Sequence, residues 1–249
     1  MKIPATFVDL EDGLRSYDVN ADVSIAISDA GEAPSTTTQS HINVIWEAAI
    51  ARQDHLLFDG TVLSVASITP EHITVYRDSY KSFFAQCQKP DLFEDLAIRP
   101  LACSGLIQCK DGFVFAKRGN HMFLDAGCWE LAPSGTFDED AVDRDGKIDA
   151  GRFLLRELQE ELGIEPSLAR PGKVLGVFEH QEFRGVDLAI DVQLDLTEEQ
   201  LRTHFEANDN HEYSALAVVP KNKLGEFTTQ ADAKFVPLSL RLLGRTGLI

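Results

Sequence analysis

The nine residues RELQEELGI, Arg156 to Ile164, crowd three glutamates, Glu157, Glu160 and Glu161, beside one arginine. On a helix, residues three and four apart share a face, so Glu157 lies beside both Glu160 and Glu161. Phe153, Leu154, Leu158 and Leu162 then pack on the other side. Carboxylates this close repel one another and hold their protons more tightly, unless a cation offsets the repulsion. A hard dication that prefers oxygen ligands, Mg²⁺ first and Mn²⁺ as a substitute, is the natural partner. The competing reading is a solvated acidic face on which Arg156 pairs with Glu160, worth only about 0.3 kcal/mol.

Such a helix needs ends, and the sequence supplies them. In DAGRFLLRELQEELGI, Asp149 suits an N-cap, Gly163 sits where a C-terminal glycine belongs, and Pro166 stops continuation. Upstream, LACSGLIQC and GFVFAKR read as strands joined by a hairpin turn at Lys110-Asp111-Gly112. A loop carrying a Trp, CWELAPSG, and a solvated acidic segment, TFDEDAVDRDGK, lead into the helix. Downstream come strands in KVLGVFEH and VDLAIDVQLDL, a helix from Glu198 to Phe205, and a last strand, SALAVVP.

The first hundred residues have their own pattern. ATFVDL and DVSIAIS read as a strand pair, and DAGEAPSTTTQSH as a polar linker. The helix INVIWEAAIARQ places Ile42, Ile45, Trp46, Ala49 and Ile50 on one side. LLFDGTVLSVASI and HITVYRD follow as strands, then SYKSFFAQCQ as a short helix. Strands and helices in this mixture predict an α/β sandwich.

At 249 residues and 44% hydrophobic content, the chain is long and apolar enough for a proper core, and it reads as a soluble globular protein. Its 23 Lys and Arg against 40 Asp and Glu leave a net charge of −17, which argues against a nucleic-acid or membrane partner. An anionic small substrate requires a local cation, most simply a metal ion. Cys87, Cys103, Cys109 and Cys128 show no CxxC spacing and read as reduced thiols. The start carries no apolar leader and no run reaches a membrane span, so the expected compartment is the cytoplasm.

The glutamate pattern resembles the C-terminal half of the Nudix box, GX5EX7REUXEEXGU, where U is a bulky aliphatic residue. Arg156, Glu157, Leu158, Glu160, Glu161, Gly163 and Ile164 fill every specified position of that half. Ordinary residue frequencies give about one chance match in 10⁵ chains of this length, which sets the solvated-face reading aside. The preceding WELAPSG is similar to the family's strand-to-loop approach to the box, which is usually close to WELPGG. The first half departs from the pattern. Gly135 stands 21 residues before Arg156 instead of 14, an insertion of seven. Ala141 or Ile148 occupies the place of the consensus Glu, with Asp145 or Asp149 as nearby acids that could replace it. The resemblance implies a Nudix α/β/α sandwich around a mixed sheet in residues 96–249, preceded by an N-terminal α+β extension in residues 1–95. It implies Glu157, Glu160 and Glu161 as metal ligands, joined by the backbone carbonyl near Ser134 or Gly135. Arg156 would orient the carboxylates by a salt bridge. The implied activity is Mg²⁺-dependent cleavage of a nucleoside diphosphate linked to another moiety.

A looser resemblance lies outside the box. IWEAAIARQDHLLFDGTVLSV looks like the N-terminal region of the UDP-sugar pyrophosphatase branch of the family. Tyr80, Phe83 and Phe84 resemble that branch's Y-x-x-F helix, and NHEYSALAVVP its late segment. These point to UDP-glucose or UDP-galactose, with ADP-ribose or another nucleoside diphosphate derivative as the alternative. A Nudix-like module that senses a nucleotide without cleaving it is the reading from another class. Glu212 is the favoured further ligand or general base, with Glu182 a second candidate. Arg118 is a candidate phosphate contact, against the competing reading of a surface arginine, and Tyr213 or Phe183 is a candidate base-stacking group, against core or rim packing. His180 and His211 are candidate proton-transfer or ribose contacts. Both a monomer and a homodimer are compatible with the sequence.

Overall fold

A computed structural model describes residues 4–28, 31, 33–52, 57–209 and 212–249. In chain order the elements begin with β1 (Phe7–Asp9), β2 (Leu14–Tyr17), β3 (Ser24–Ile27), α1 (Thr36–Arg52), β4 (Thr61–Ile68) and β5 (His72–Ser79). Next are α2 (Tyr80–Gln88), α3 (Phe93–Leu96), β6 (Leu101–Gln108), β7 (Phe113–Arg118), β8 (Trp129–Leu131), β9 (Ser134–Thr136) and β10 (Lys147–Ile148). The rest are α4 (Ala150–Leu162), β11 (Ala169–His180), β12 (Val186–Leu194), α5 (Glu198–Ala207), β13 (Tyr213–Val219), α6 (Leu224–Thr228) and α7 (Pro237–Arg245). The α/β class expected from the sequence is what the structure shows. No helix among the described residues is long and apolar enough to cross a membrane.

Two compact units share the chain. The first comprises Met1–Ala102, Thr136–Asp149 and Val177–Asp187. Its sheet runs β10-β3-β5-β4, with β3 parallel to β5 and the remaining pairs antiparallel. α1 and α2 pack through Ile42, Ala85 and Leu92, and Trp46 sets its ring edge-on to Tyr80 and Phe84. Two expectations fail here. ATFVDL and DVSIAIS do not pair with each other: the chain turns at Gly13, and LRSY folds back so that β1 pairs with β2, while β3 joins β5. The short return strand was hidden by its polar residues. α1 also starts at Thr36, inside the supposed linker, because the Ser35 hydroxyl accepts from the Thr38 N–H and Thr38 in turn bonds Asp95. Ile50, placed on the same side as Ile42, Ile45, Trp46 and Ala49, is 50% exposed. Arg99 pairs with the buried Glu179, which also accepts from the Tyr17 hydroxyl.

The second unit comprises Cys103–Gly135, Ala150–Gly176 and Leu188–Ile249. Its strands run β11-β12-β6-β7-β13, with β8 pairing β7 and β9 pairing β6. The predicted hairpin forms, Gln108 facing Phe113. CWELAPSG, expected as a loop, contains β8 and the start of β9, separated by the cis Ala132-Pro133 bond. Its W-E-L residues gain a β partner in β7 that only the fold provides. Two helices that the sequence reading left unassigned, α6 and α7, follow β13. Ser239 of α7 accepts the Leu131 N–H at 2.9 Å and so ties the C-terminus to β8.

Candidate active site

α4 buries Phe153, Leu154, Leu158 and Leu162, as its apolar stripe requires. It ends at Gly163, which adopts φ +69, with the Gly163 N–H on the Gln159 carbonyl. The three glutamates are not equivalent on this helix. Glu161 is buried at 5% exposure, the Glu157 side chain is 13% exposed, and that of Glu160 is 63% exposed.

Arg156 lies over the Phe153 ring, 4.8 Å from its centroid. From there it reaches Glu157 Oε1 at 3.1 Å and Glu160 Oε1 at 3.7 Å. β9 brings backbone to the same place. The Ser134 N–H donates to Glu161 Oε2 at 3.4 Å, and the Ser134 hydroxyl lies 3.2 Å from that of Ser104. Gly135 packs so closely on Glu157 that a Cβ there would overlap its carboxylate. This contact gives a physical reason for the glycine in the WELAPSG motif.

Burial dominates the charge behaviour of the cluster. Desolvation pushes the Glu157 carboxyl up to about 7 against the pull of Arg156, with Glu160 and Glu212 adding repulsion. Glu161 is held well above the ordinary carboxylate range, first by desolvation and then by Glu212, Glu157 and Glu130. Glu212 is exposed as a residue, yet its carboxyl is also pushed upward by desolvation, against Arg118 and His121. Its backbone carbonyl accepts the Gly119 N–H at 2.7 Å, which fixes it beside the loop after β7. The structure therefore brings Glu157, Glu161 and Glu212 within electrostatic reach of one another.

Arg118 and Tyr213 occupy buried positions. The Arg118 side chain is 14% exposed, pairs with Glu130 Oε1 at 2.7 Å and donates to the Leu124 carbonyl. Tyr213 is 6% exposed and donates its hydroxyl to the same Glu130 oxygen at 2.8 Å. Glu130, 4% exposed, is the residue sequence reasoning missed. Its signal was an acid flanked by Trp129 and Leu131 in an apolar strand. Glu182 is exposed in the first unit, where Phe183 stacks on His180 and His180 bonds Asp187 at 3.1 Å. His211 lies outside the described residues.

Among the described residues, no three His, Cys, Asp or Glu side chains are gathered as a ready-made metal-binding group. The donor chemistry fits a hard dication nonetheless. Every candidate ligand is an oxygen, the carboxylates raise one another's affinity for protons, and the Gly135 backbone keeps a Cβ out of their way.

No protein-family model matches the sequence, and no curated protein matches it. Solved structures do resemble it. One is a MutT protein from Methanosarcina mazei Go1, 22% identical, with a TM-score of 0.41 over 60% of this chain and 93% of that one. Another is an ADP-ribose pyrophosphatase from Streptococcus suis 89-1591, 17% identical, with a TM-score of 0.38 over 59% of this chain and 91% of that one. A third is the NUDIX domain of Shewanella oneidensis NrtR complexed with ADP ribose, 13% identical, with a TM-score of 0.39 over 64% of this chain and 96% of that one.

Proposed function

We propose that this chain is a Mg²⁺-dependent hydrolase of the Nudix type. It cleaves the pyrophosphate bond of a nucleoside diphosphate linked to a second moiety. A UDP-sugar is the favoured substrate, UDP-glucose giving UMP and glucose 1-phosphate. The observation that carries the reading is the meeting of the Glu157 and Glu161 carboxylates on α4 with the Ser134–Gly135 backbone. The sugar-nucleotide preference rests on the sequence resemblance of the IWE and Y-x-x-F helices.

Glu157, Glu160 and Glu161, with the backbone carbonyl near Ser134 or Gly135, would hold the ion. Bound there, Mg²⁺ would supply an offset to the charge that develops on phosphate and a more acidic water. Arg156 restrains Glu157 and Glu160 by its two ion pairs and leans on Phe153 while doing so. Glu212, whose carboxyl binds protons more tightly than an ordinary one, suits the general base that receives a proton from the attacking water. Gly135 leaves room for substrate and carboxylates to approach the same backbone.

The test is phosphate-coupled hydrolysis of UDP-glucose, UDP-galactose, ADP-ribose, GDP-mannose, NADH and a diadenosine polyphosphate, each with Mg²⁺ and with EDTA. The expected result is metal-dependent cleavage of the UDP-sugars that Glu161→Gln reduces by about 100-fold or more. Cleavage of ADP-ribose instead corrects the substrate. Binding without cleavage of any compound overturns the enzyme reading in favour of a nucleotide sensor.

A further inference from the structure

We propose that Arg184, together with Arg99 and Arg15, forms an anion site in the first unit that takes a phosphate group. The buried Glu179 organises it. Arg99 donates to both oxygens of this carboxylate, at 3.2 and 2.8 Å, and the Tyr17 hydroxyl donates to Oε2 at 2.5 Å. Its charge is therefore balanced before Arg184 is counted. Arg184 Nη1 stands 3.7 Å from Glu179 Oε1, an oxygen that Arg99 already occupies, and this is beyond hydrogen-bond length. Arg15 of β2, opposite Glu179 of β11 in the strand register, lies over the Phe7 ring and is committed to Asp9 at 2.6 and 3.2 Å. Three guanidiniums thus accompany two carboxylates, which leaves one positive charge over in a chain whose net charge is −17.

Arg184 is held ready and left unsatisfied. Its guanidinium rests on the face of Phe93, 4.7 Å from the centroid, and makes no hydrogen bond among the described residues. Its side chain is 34% exposed, so a ligand can reach the free donors. The backbone supports the same reading. Arg184 adopts φ +67 in the turn between β11 and β12, which its own N–H closes on the His180 carbonyl and the His180 N–H closes on the Gly185 carbonyl. Glycine would hold that conformation without strain, so an arginine there points to a use for its side chain. Guanidinium forks match phosphate oxygens, and a tetrahedral dianion accepts donors from several directions where a planar carboxylate does not. The overall charge of −17 opposes diffuse anion binding, so any phosphate held must be held locally.

The test is calorimetric titration of the whole chain in EDTA at matched ionic strength, with orthophosphate and, separately, glucose 1-phosphate. The parent should bind, Arg184→Gln should bind about tenfold or more weakly, and Glu161→Gln should match the parent. Tighter binding of glucose 1-phosphate identifies an organic monoester as the source of the phosphate, and equal or weaker binding identifies inorganic phosphate. A parent that takes neither probe in the millimolar range overturns the proposal, as does Arg184→Gln with parent affinity. Affinity lost in Glu161→Gln and kept in Arg184→Gln also overturns it, by assigning the phosphate to the carboxylate cluster. No hydrolysis enters these readouts, so they stand or fall separately from the enzyme reading. Should Arg184→Gln not fold, Arg184→Gly serves: it suits φ +67, keeps the turn and must still lose the affinity.

Discussion

Glu157 binds its proton more tightly in the folded chain than in the unfolded one, since burial raises its carboxyl from 4.5 to about 7. The stability this contributes is therefore complete below about pH 4.5 and is lost as the pH rises through about 7. Full passage costs about 3 kcal/mol. Thermal melts in EDTA from pH 5 to pH 8 should show the decline in the parent and a flatter profile in Glu157→Gln. An equally steep profile in both would remove Glu157 as its source. Gly135 makes a second residue-scale argument. Gly135→Ala forces a methyl group onto the Glu157 carboxylate, so Mg²⁺-dependent kcat/KM should fall by about tenfold or more, while the melting temperature shifts by only a few degrees. Unchanged kinetics would mean that the close contact has no part in the chemistry.

At the scale of elements, α4 is the piece on which everything else depends, and its C-terminus is its most exacting point. Gly163 has φ +69, and a Cβ there would lie 2.9 Å from the His204 carbonyl of α5. Gly163→Ala should cost about 1–2 kcal/mol in urea unfolding from the left-handed backbone alone, with crowding against α5 adding to it. A neutral result would show that the end of α4 relaxes instead. The same helix was legible in advance because its apolar stripe, its acidic face and its terminal glycine agree. α1 was read less well. Its first turn is built from Ser35, Thr36 and Thr38, polar residues that suit a loop until the Ser35 cap and the Thr38–Asp95 bond are known.

At the scale of the whole chain, a net charge of −17 makes cations stabilising by general screening as well as by any specific site. The two effects separate at matched ionic strength. MgCl2 should raise the melting temperature above the value reached with NaCl, and at about 100 times Kd the added stability is about 2.7 kcal/mol. Glu161→Gln should lose that increment and keep the NaCl response. Identical melting in the two salts would argue that the −17 charge is felt only as a diffuse field.

RELQEELGI placed the three glutamates together on a helix, because i, i+3 and i+4 spacing is local and survives whatever surrounds it. WELAPSG marked a strand-to-loop approach to the same place without revealing β9 or the pairing of β8 with β7. The unequal burial of Glu157, Glu160 and Glu161 was decided by tertiary packing, as was the recruitment of Glu130. Glu130 meets Arg118 and Tyr213 only through the register of β7 with β8 and β13. Those pairings join positions far apart in the chain, and hydrogen bonding between strands, which sets them, leaves no periodic trace in any one of the segments it joins.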